Sequence, residues 1–209
     1  MYMKIFLIGF NKCGTTSFYE YFKNNEIKSY HPGVNGGENL NLINKNFINN
    51  KLILEGLDYD FYCDLDIWWP KCKYDYNNGI FQDINDYSNM LYTHVKIYKY
   101  LDKQYPNSKF ILNIRDKDNW IKSRKNHGNP KYIDWFKKFY NVNNDKLIIE
   151  RWEKEWDIHI NDVKKYFKKK PDDLLIYDIE NDDVSKLNNF MEKYIQLKNT
   201  RFPIKNKTK

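Results

Sequence analysis

The chain has 209 residues, of which 41% are hydrophobic and 18% aromatic, enough to bury the core of a single α/β domain spanning residues 1–209. Its net charge of +7 suits an anionic ligand, and the acidic residues interspersed among the basic ones argue against a specific nucleic-acid partner. The three cysteines form no C-x-x-C pair and the four histidines are scattered, which predicts no metal site. The sequence has neither a signal-peptide pattern nor an apolar run near ~18 residues, which predicts a cytoplasmic protein with no membrane segment.

The first predicted element is a strand over residues 4–9, an apolar run that ends at Gly9. A turn containing Lys12 follows, and hydroxyl residues then open a helix. Glycine permits close backbone approach, and the first turn of a helix directs N–H groups at a bound anion. Lys12 adds a full charge, which tight binding needs because a helix end alone contributes about 0.3–2 kcal/mol. The predicted anion cradle consists of Lys12, Cys13, Gly14, Thr15, Thr16 and Ser17.

Strands and helices alternate through the rest of the chain. Further strands are predicted at residues 27–31, 61–65, 109–114 and 174–177, and helices around residues 40–47, 87–101, 118–126, 130–140, 145–168 and 184–195. Residues 35–38 are predicted as a loop, residues 68–79 as an irregular aromatic loop that covers an acceptor, and residues 200–209 as a basic tail. His159 falls on the apolar stripe of its helix and is predicted to be a core histidine. This alternation predicts an α/β fold with a mostly parallel sheet covered by helices on both faces.

Arg115 and Ser123 form a second candidate anion site. Arg115 ends the predicted strand at 109–114, and Ser123 lies eight residues later in the next helix. A guanidinium binds two phosphate oxygens at once, and the serine hydroxyl can complete the shell. In parallel α/β sheets ligands bind beyond the carboxyl ends of the strands. Lys12, Asp64 and Arg115 all fall there.

Both motifs resemble those of sulfotransferases that use 3′-phosphoadenosine 5′-phosphosulfate (PAPS). Residues 9–17 are similar to the family's 5′-phosphosulfate loop, near G-x-x-K-x-G-T-T-S, with Cys13 where the family often has Thr. Residues 110–123 are similar to its F-I-L-x-x-R-D-x-x-x-W-x-x-S segment, and residues 202–206 to its closing F-P-x-x-N. The resemblance implies a P-loop-like fold and PAPS as sulfuryl donor without a metal. It also implies Lys12 at the bridging oxygen, the following loop residues around the 5′-phosphate, and Arg115 with Ser123 at the 3′-phosphate.

A general base is expected as well, and the sequence leaves three candidates open. His31 ends the second predicted strand, Glu38 lies in the following loop, and Asp64 ends the third strand. Each has an ordinary structural explanation: a strand-end hydrogen bond for His31, a helix-terminal charge for Glu38, and a cap for Asp64.

Other functions remain open at this point. The first is a Mg²⁺-dependent kinase that uses Asp64 or Asp66, although Lys12 stands two residues before Gly14 and no G-K-[ST] motif occurs. The others are a non-catalytic nucleic-acid binder that stacks bases on its tyrosines, and an inactive sulfotransferase-like domain. The expected acceptor is a carbohydrate or a small hydroxylated metabolite, and the sequence gives no oligomeric state.

Overall fold

Strand β1 lies at the centre of a five-stranded sheet in which all strands are parallel. The computed structural model describes residues 3–36, 38–65, 73–75, 80–82, 93–128, 131–199 and 201–203. Its strands are β1 (Ile5–Leu7), β2 (Ser29–Tyr30), β3 (Phe61–Tyr62), β4 (Lys73–Asp75), β5 (Ile80–Gln82), β6 (Lys109–Ile114) and β7 (Leu174–Asp178). The order across the sheet is β2-β3-β1-β6-β7, and β4 and β5 form a separate antiparallel pair.

Helices connect and cover the parallel strands. They are α1 (Thr15–Asn24), α2 (Pro32–Asn35), α3 (Glu38–Ile48), α4 (Thr93–Gln104), α5 (Lys117–Lys125), α6 (Lys131–Tyr140), α7 (Asp145–Phe167) and α8 (Val184–Met191). Local sequence explains several starts: the Asp116 side chain accepts a hydrogen bond from Asn119 N and so caps α5. Among the helices of the described residues, none is long and apolar enough to cross a membrane.

The alternation of side chains along β1 divides the core between the two faces of the sheet. Ile5 and Leu7 belong to a cluster that includes residues of α1 and α8, whereas Phe6 and Ile8 belong to a larger cluster with α5, α6 and α7. All four side chains are buried, as the period of two in a strand covered on both faces requires. The predicted α/β fold with helices on both faces is thereby confirmed.

The strand order fixes the layout of the site, because the candidate residues follow the carboxyl ends of different strands. His31 follows β2, Asp64 follows β3, Lys12 follows β1, Arg115 follows β6 and Glu180 follows β7. Reading the strands in their order across the sheet therefore gives the same order for these residues along one edge. His31 and Asp64 lie on one side of the Lys12 turn, and Arg115 lies on the other.

Two local predictions are wrong. Residues 35–38 are not one loop: Pro32–Asn35 form a helical turn, and Glu38 is already the first residue of α3. Proline at a first helical position and the His31 side chain as cap explain that turn. Residues 68–79 are not wholly irregular, because β4 pairs with β5, and the Asn-Gly pair between them in the sequence is a hairpin signal. The rest of that aromatic segment, Asp66, the predicted start of α4 and most of the basic tail lie outside the described residues.

Candidate active site

The turn between β1 and α1 has two residues that deviate from ordinary backbone geometry. Lys12 has a φ of 66° and Gly14 a φ of 78°, both in the left-handed region. Gly14 adopts this conformation at little cost, whereas for Lys12 it costs roughly 1–2 kcal/mol. Gly14 is also the N-cap of α1 and has no side chain to accept hydrogen bonds from the first helical turn. Strain of this kind persists where the surrounding structure holds it and is typical of ligand-binding loops.

The surrounding structure holds this loop by its carbonyl groups. Four carbonyl oxygens, one at the end of β1 and three in the loop, accept hydrogen bonds from side chains elsewhere in the fold. The pairs are His159 Nε2 with Ile8 O (2.7 Å), Trp120 Nε1 with Asn11 O (3.0 Å), Arg115 Nη1 with Lys12 O (3.2 Å) and Asn113 Nδ2 with Cys13 O (2.8 Å). In a trans peptide the N–H points opposite to the C=O. The N–H groups of residues 12–14 therefore point away from these donors, as an anion-binding loop requires.

Asn113 connects both ends of the loop to β6. Its Oδ1 accepts a hydrogen bond from Gly9 N at 2.9 Å, while its Nδ2 donates to Cys13 O. A Cβ atom at Gly9 would lie 2.0 Å from the Asn113 backbone oxygen and 2.5 Å from its Oδ1. Glycine is thus required at position 9 by the close approach of β6. Asn113 was missed in the sequence, although a polar residue inside an apolar strand is a usable signal.

The start of α1 brings hydroxyl groups to the same place. Thr15 and Thr16 place their Oγ1 atoms 3.4 and 3.5 Å from His31 Nε2, and Ser17 is buried one residue further along the helix. Cys13 is fully buried, which raises the pKa of its thiol and keeps it protonated at neutral pH. The cradle predicted from residues 12–17 is therefore one continuous turn and helix start.

Lys12 is half-buried, and two other charged groups interact electrostatically with its ammonium group. Burial lowers the pKa of Lys12, the nearby Asp64 carboxylate raises it in part, and the Arg124 guanidinium lowers it further. The charged form of Lys12 is therefore less stable in the unbound loop than in water. An anion that binds beside the ammonium group stabilises the charged form again. The electrostatics of the loop thus favour a negatively charged ligand.

Arg124, which the sequence analysis missed, is fully buried behind the loop. Its guanidinium carbon lies 4.2 Å from the ring centre of Trp152 and 4.7 Å from that of Trp120. Nη2 also donates to Tyr132 Oη at 3.3 Å, and the same hydroxyl accepts from Asn11 Nδ2 at 2.8 Å. The buried cation is in this way connected to the loop through Tyr132 and Asn11. Its sequence signal is weak, because a basic residue on a helix is usually solvated.

Arg115 and Ser123 occupy the positions that their spacing predicted. Arg115 follows β6 directly and donates to Lys12 O, which ties it to the loop. Ser123 is buried on α5. Arg115 also pairs with Glu180, which the sequence analysis missed: Nε and Nη2 donate to Glu180 Oε1 at 3.0 and 2.5 Å.

The three base candidates have different surroundings. His31 is buried, and its Nδ1 accepts a hydrogen bond from Gly33 N at 3.0 Å, so its neutral ring carries the proton on Nε2. That Nε2 lies 3.6 Å from Asp64 Oδ2. Asp64 has a φ of 50°, again in the left-handed region, and its charge acts on Lys12. Glu38 is exposed at the first turn of α3.

His127 is a further residue near the loop that the sequence analysis did not single out. It follows α5, is exposed, and its ring contacts Tyr132 with 5.1 Å between ring centres. Partial burial lowers the pKa of His127, and the charges of Lys12 and Arg124 lower it further. These effects favour the neutral imidazole, at a place where another positive charge would be repelled.

A comparison with models of protein families identifies a match. The family model described as a sulfotransferase domain matches residues 4–209, which is nearly the whole chain. No curated protein matches the chain. The matched range contains β1, the Lys12 loop and every strand of the parallel sheet. The chain therefore belongs to the sulfotransferase domain family, whose members are transferases that take a sulfuryl group from PAPS.

Proposed function

We propose that the chain transfers the sulfuryl group of PAPS to a hydroxyl or an amine of a carbohydrate or a small metabolite. The observation that carries this proposal is the set of three side-chain donors that hold the loop carbonyls of residues 11–13 away from the anion position. This arrangement supports binding of the phosphosulfate group. The family match favours sulfuryl transfer over the kinase and nucleic-acid alternatives.

The residues present fit the donor. PAPS carries a 5′-phosphosulfate and a 3′-phosphate, and the sheet edge offers two positively charged groups beside each other, at β1 and β6. Lys12 and the backbone and hydroxyl donors of residues 13–17 would hold the phosphosulfate. Arg115 and Ser123 would hold the 3′-phosphate. The opposite side of the loop, at β3 and β2, is left for the acceptor.

The transfer step breaks one bond to sulfur and forms another. The acceptor O–H gives up its proton to a base, and the acceptor oxygen bonds to sulfur. The bond between sulfur and the bridging oxygen breaks, and its electron pair stays on the 5′-phosphate of the leaving 3′-phosphoadenosine 5′-phosphate (PAP). Lys12 stabilises this developing charge, a contribution larger in the transition state than in the ground state.

Among the three candidates, the geometry favours Asp64 as the base. His31 Nδ1 is engaged by Gly33 N, so a proton accepted there would break the cap of α2. Asp64 lies beside β1 at the carboxyl end of β3, and the His31 ring lies against it. In this assignment His31 orients Asp64, and Glu38 is the helix-terminal charge of α3.

Binding is tested by thermal unfolding with PAP, with adenosine 5′-phosphate and with ATP–Mg²⁺. PAP at 100 times its Kd should add about 2.7 kcal/mol to the free energy of unfolding. We also expect EDTA to leave turnover unchanged, since Lys12 and the loop amides supply the positive charge. Stabilisation by ATP only with Mg²⁺, and none by PAP, would favour a kinase and refute the proposal.

The roles are separated by single-turnover rates and PAP affinities. Lys12→Met should lower the rate by about 10²–10³ and weaken PAP binding less, by analogy with other preorganised donors. Lys23→Met, at an exposed lysine in the last turn of α1, is the matched control and should change neither. Asp64→Asn should lower the rate without weakening PAP binding, because it removes a negative charge near Lys12. A full rate for Lys12→Met with weakened binding would show that Lys12 only binds.

A further inference from the structure

Arg115 uses only part of its hydrogen-bonding capacity within the protein. A guanidinium has five N–H donors in one plane. Nε and Nη2 donate to Glu180 Oε1, and Nη1 donates to Lys12 O. Within the described residues no other acceptor contacts Arg115, so one N–H on Nη1 and one on Nη2 remain. The Nη1–Nη2 side is the outer edge of the fork, and two N–H groups of a guanidinium can bind two phosphate oxygens at once. The side chain is 21% exposed, so part of it is accessible to a ligand.

Glu180 is itself held firmly. Its Oε2 accepts from Asp116 N at 3.0 Å, and Asn119 Nδ2 lies 3.2 and 3.3 Å from its two oxygens. Its backbone N–H donates to Asp178 Oδ1 at 2.9 Å. Burial raises the pKa of Glu180, but the hydrogen bonds from Asp116 N, Arg115 and Asn119 outweigh that effect and lower it. Glu180 is therefore a fixed carboxylate on the inner edge of the Arg115 fork.

We propose that Glu180 is a positioning residue that holds the Arg115 guanidinium so that its outer Nη1–Nη2 edge faces the 3′-phosphate of the nucleotide. This inference rests on the proposed function and deepens it, because it names the residue that lets the site select a 3′-phosphorylated nucleotide. Lys12 O, on the other side of the guanidinium, fixes the same plane from within the loop. The orientation of Arg115 and the shape of the loop are thus coupled.

The opposite interpretation is that Glu180 merely occupies the position of the phosphate and is displaced by it. Two observations argue against it. Glu180 contacts the Nε–Nη2 edge and does not cover the outer Nη1–Nη2 edge. It also keeps hydrogen bonds from Asp116 N and Asn119 that do not depend on Arg115. The two interpretations predict effects of opposite sign, since removal of a displaced or repelling carboxylate would strengthen phosphate binding.

The test compares Glu180→Gln with the wild type for two nucleotides, PAP and adenosine 5′-phosphate, by titration calorimetry. Glutamine keeps the size of the side chain but replaces one acceptor oxygen by an NH₂ group that cannot accept from Asp116 N. The Kd of PAP should rise about ten-fold, which equals about 1.4 kcal/mol, while that of adenosine 5′-phosphate should change less than about two-fold. Asp58→Asn is the matched control, since it removes an exposed carboxylate paired with Lys28 at the amino edge of the sheet, and it should change neither constant.

A double-mutant cycle excludes a purely structural effect. Arg115→Ala alone should abolish most of the preference for PAP over adenosine 5′-phosphate, and Glu180→Gln added to it should change that preference no further. Tighter or unchanged PAP binding by Glu180→Gln, equal weakening for both nucleotides, or a second loss in the Arg115→Ala background would each overturn the inference. If the wild type itself shows no preference for PAP, the proposed function fails instead, so the two failures are distinguishable.

Discussion

Replacement of Asn113 by alanine tests whether the loop is held by its carbonyl groups. The Asn113 side chain is fully buried and satisfies two buried backbone groups, Gly9 N–H and Cys13 C=O. A buried polar group that loses its partner costs about 1–3 kcal/mol, so the pair should cost about 2–6 kcal/mol. Small domains are stable by only about 5–15 kcal/mol, so the loss is large and readily measured.

The assay is urea unfolding combined with PAP affinity, and Asn46→Ala is the matched control. Asn46 is also buried, with its Nδ2 donating to Ile53 O and Glu55 O at 3.2 and 2.8 Å, but it lies in α3, away from the loop. Both variants should lose stability, and only Asn113→Ala should weaken PAP binding, by about ten-fold or more. If Asn113→Ala binds PAP as tightly as Asn46→Ala does, the Asn113 side chain does not shape the binding loop.

Asn113→Asp adds a pH dependence with a definite sign. In the wild type, Asn113 Nδ2 donates a hydrogen bond to Cys13 O at 2.8 Å. In the variant, one carboxyl oxygen can still accept from Gly9 N, but the other faces Cys13 O. Only the protonated acid can donate there, so the pKa of the introduced carboxyl is raised in the folded state. Its stability relative to the wild type is therefore greatest at low pH and falls as the pH rises through the folded pKa. Unfolding at about pH 5 and about pH 8 should give a larger deficit at the higher pH; equal deficits would contradict the reasoning.

Two further predictions concern the backbone and the arginine site. Gly9→Ala should prevent stable folding or PAP binding, because its Cβ would lie 2.0 Å from a carbonyl oxygen of β6. Gly128→Ala is the control: its Cβ would have no neighbour nearer than 3.8 Å, so it should cost only the roughly 1–2 kcal/mol of its left-handed φ. Comparable unfolding curves for the two variants would refute this. Arg115→Ala should weaken PAP binding more than Ser123→Ala, and the double variant should lose less than the sum. Strict additivity in calorimetry would mean that the two residues do not share one phosphate.

Local patterns were sufficient to predict the elements that carry the loop. The apolar run before Gly9 and the one before Arg115 predicted β1 and β6 because buried parallel strands have continuous hydrophobic sequences. The apolar spacing after residue 145 predicted α7, and His159 is buried on it as expected. In each case the information lies within a few residues of the element itself. Together with the family resemblance, it led to the fold and the transferase class.

The supporting residues could not be predicted in this way because their partners are distant in the sequence. Asn113 and Cys13 are 100 residues apart, and Arg115 and Glu180 are 65 apart. Nothing in the sequence around Glu180 distinguishes it from an ordinary acidic residue after a strand. Glu38 was predicted to lie in a loop for a related reason. The Gly-rich sequence before it does not determine by itself whether the helix begins at Glu38 or a few residues later.

Arg124 shows how the fold can keep a buried charge beside the proposed anion site. Burial of an ion costs several kcal/mol, yet aromatic rings packed against the guanidinium and the hydrogen bond to Tyr132 offset part of that cost. The remaining positive potential extends to the loop, where it lowers the pKa of Lys12. An anion that binds there is attracted by Lys12 and Arg124 together and relieves their mutual repulsion. The repulsion between Lys12 and Arg124 thus lowers the stability of the unbound fold and raises its affinity for anions. For this reason a ligand with two phosphate groups should stabilise the protein strongly.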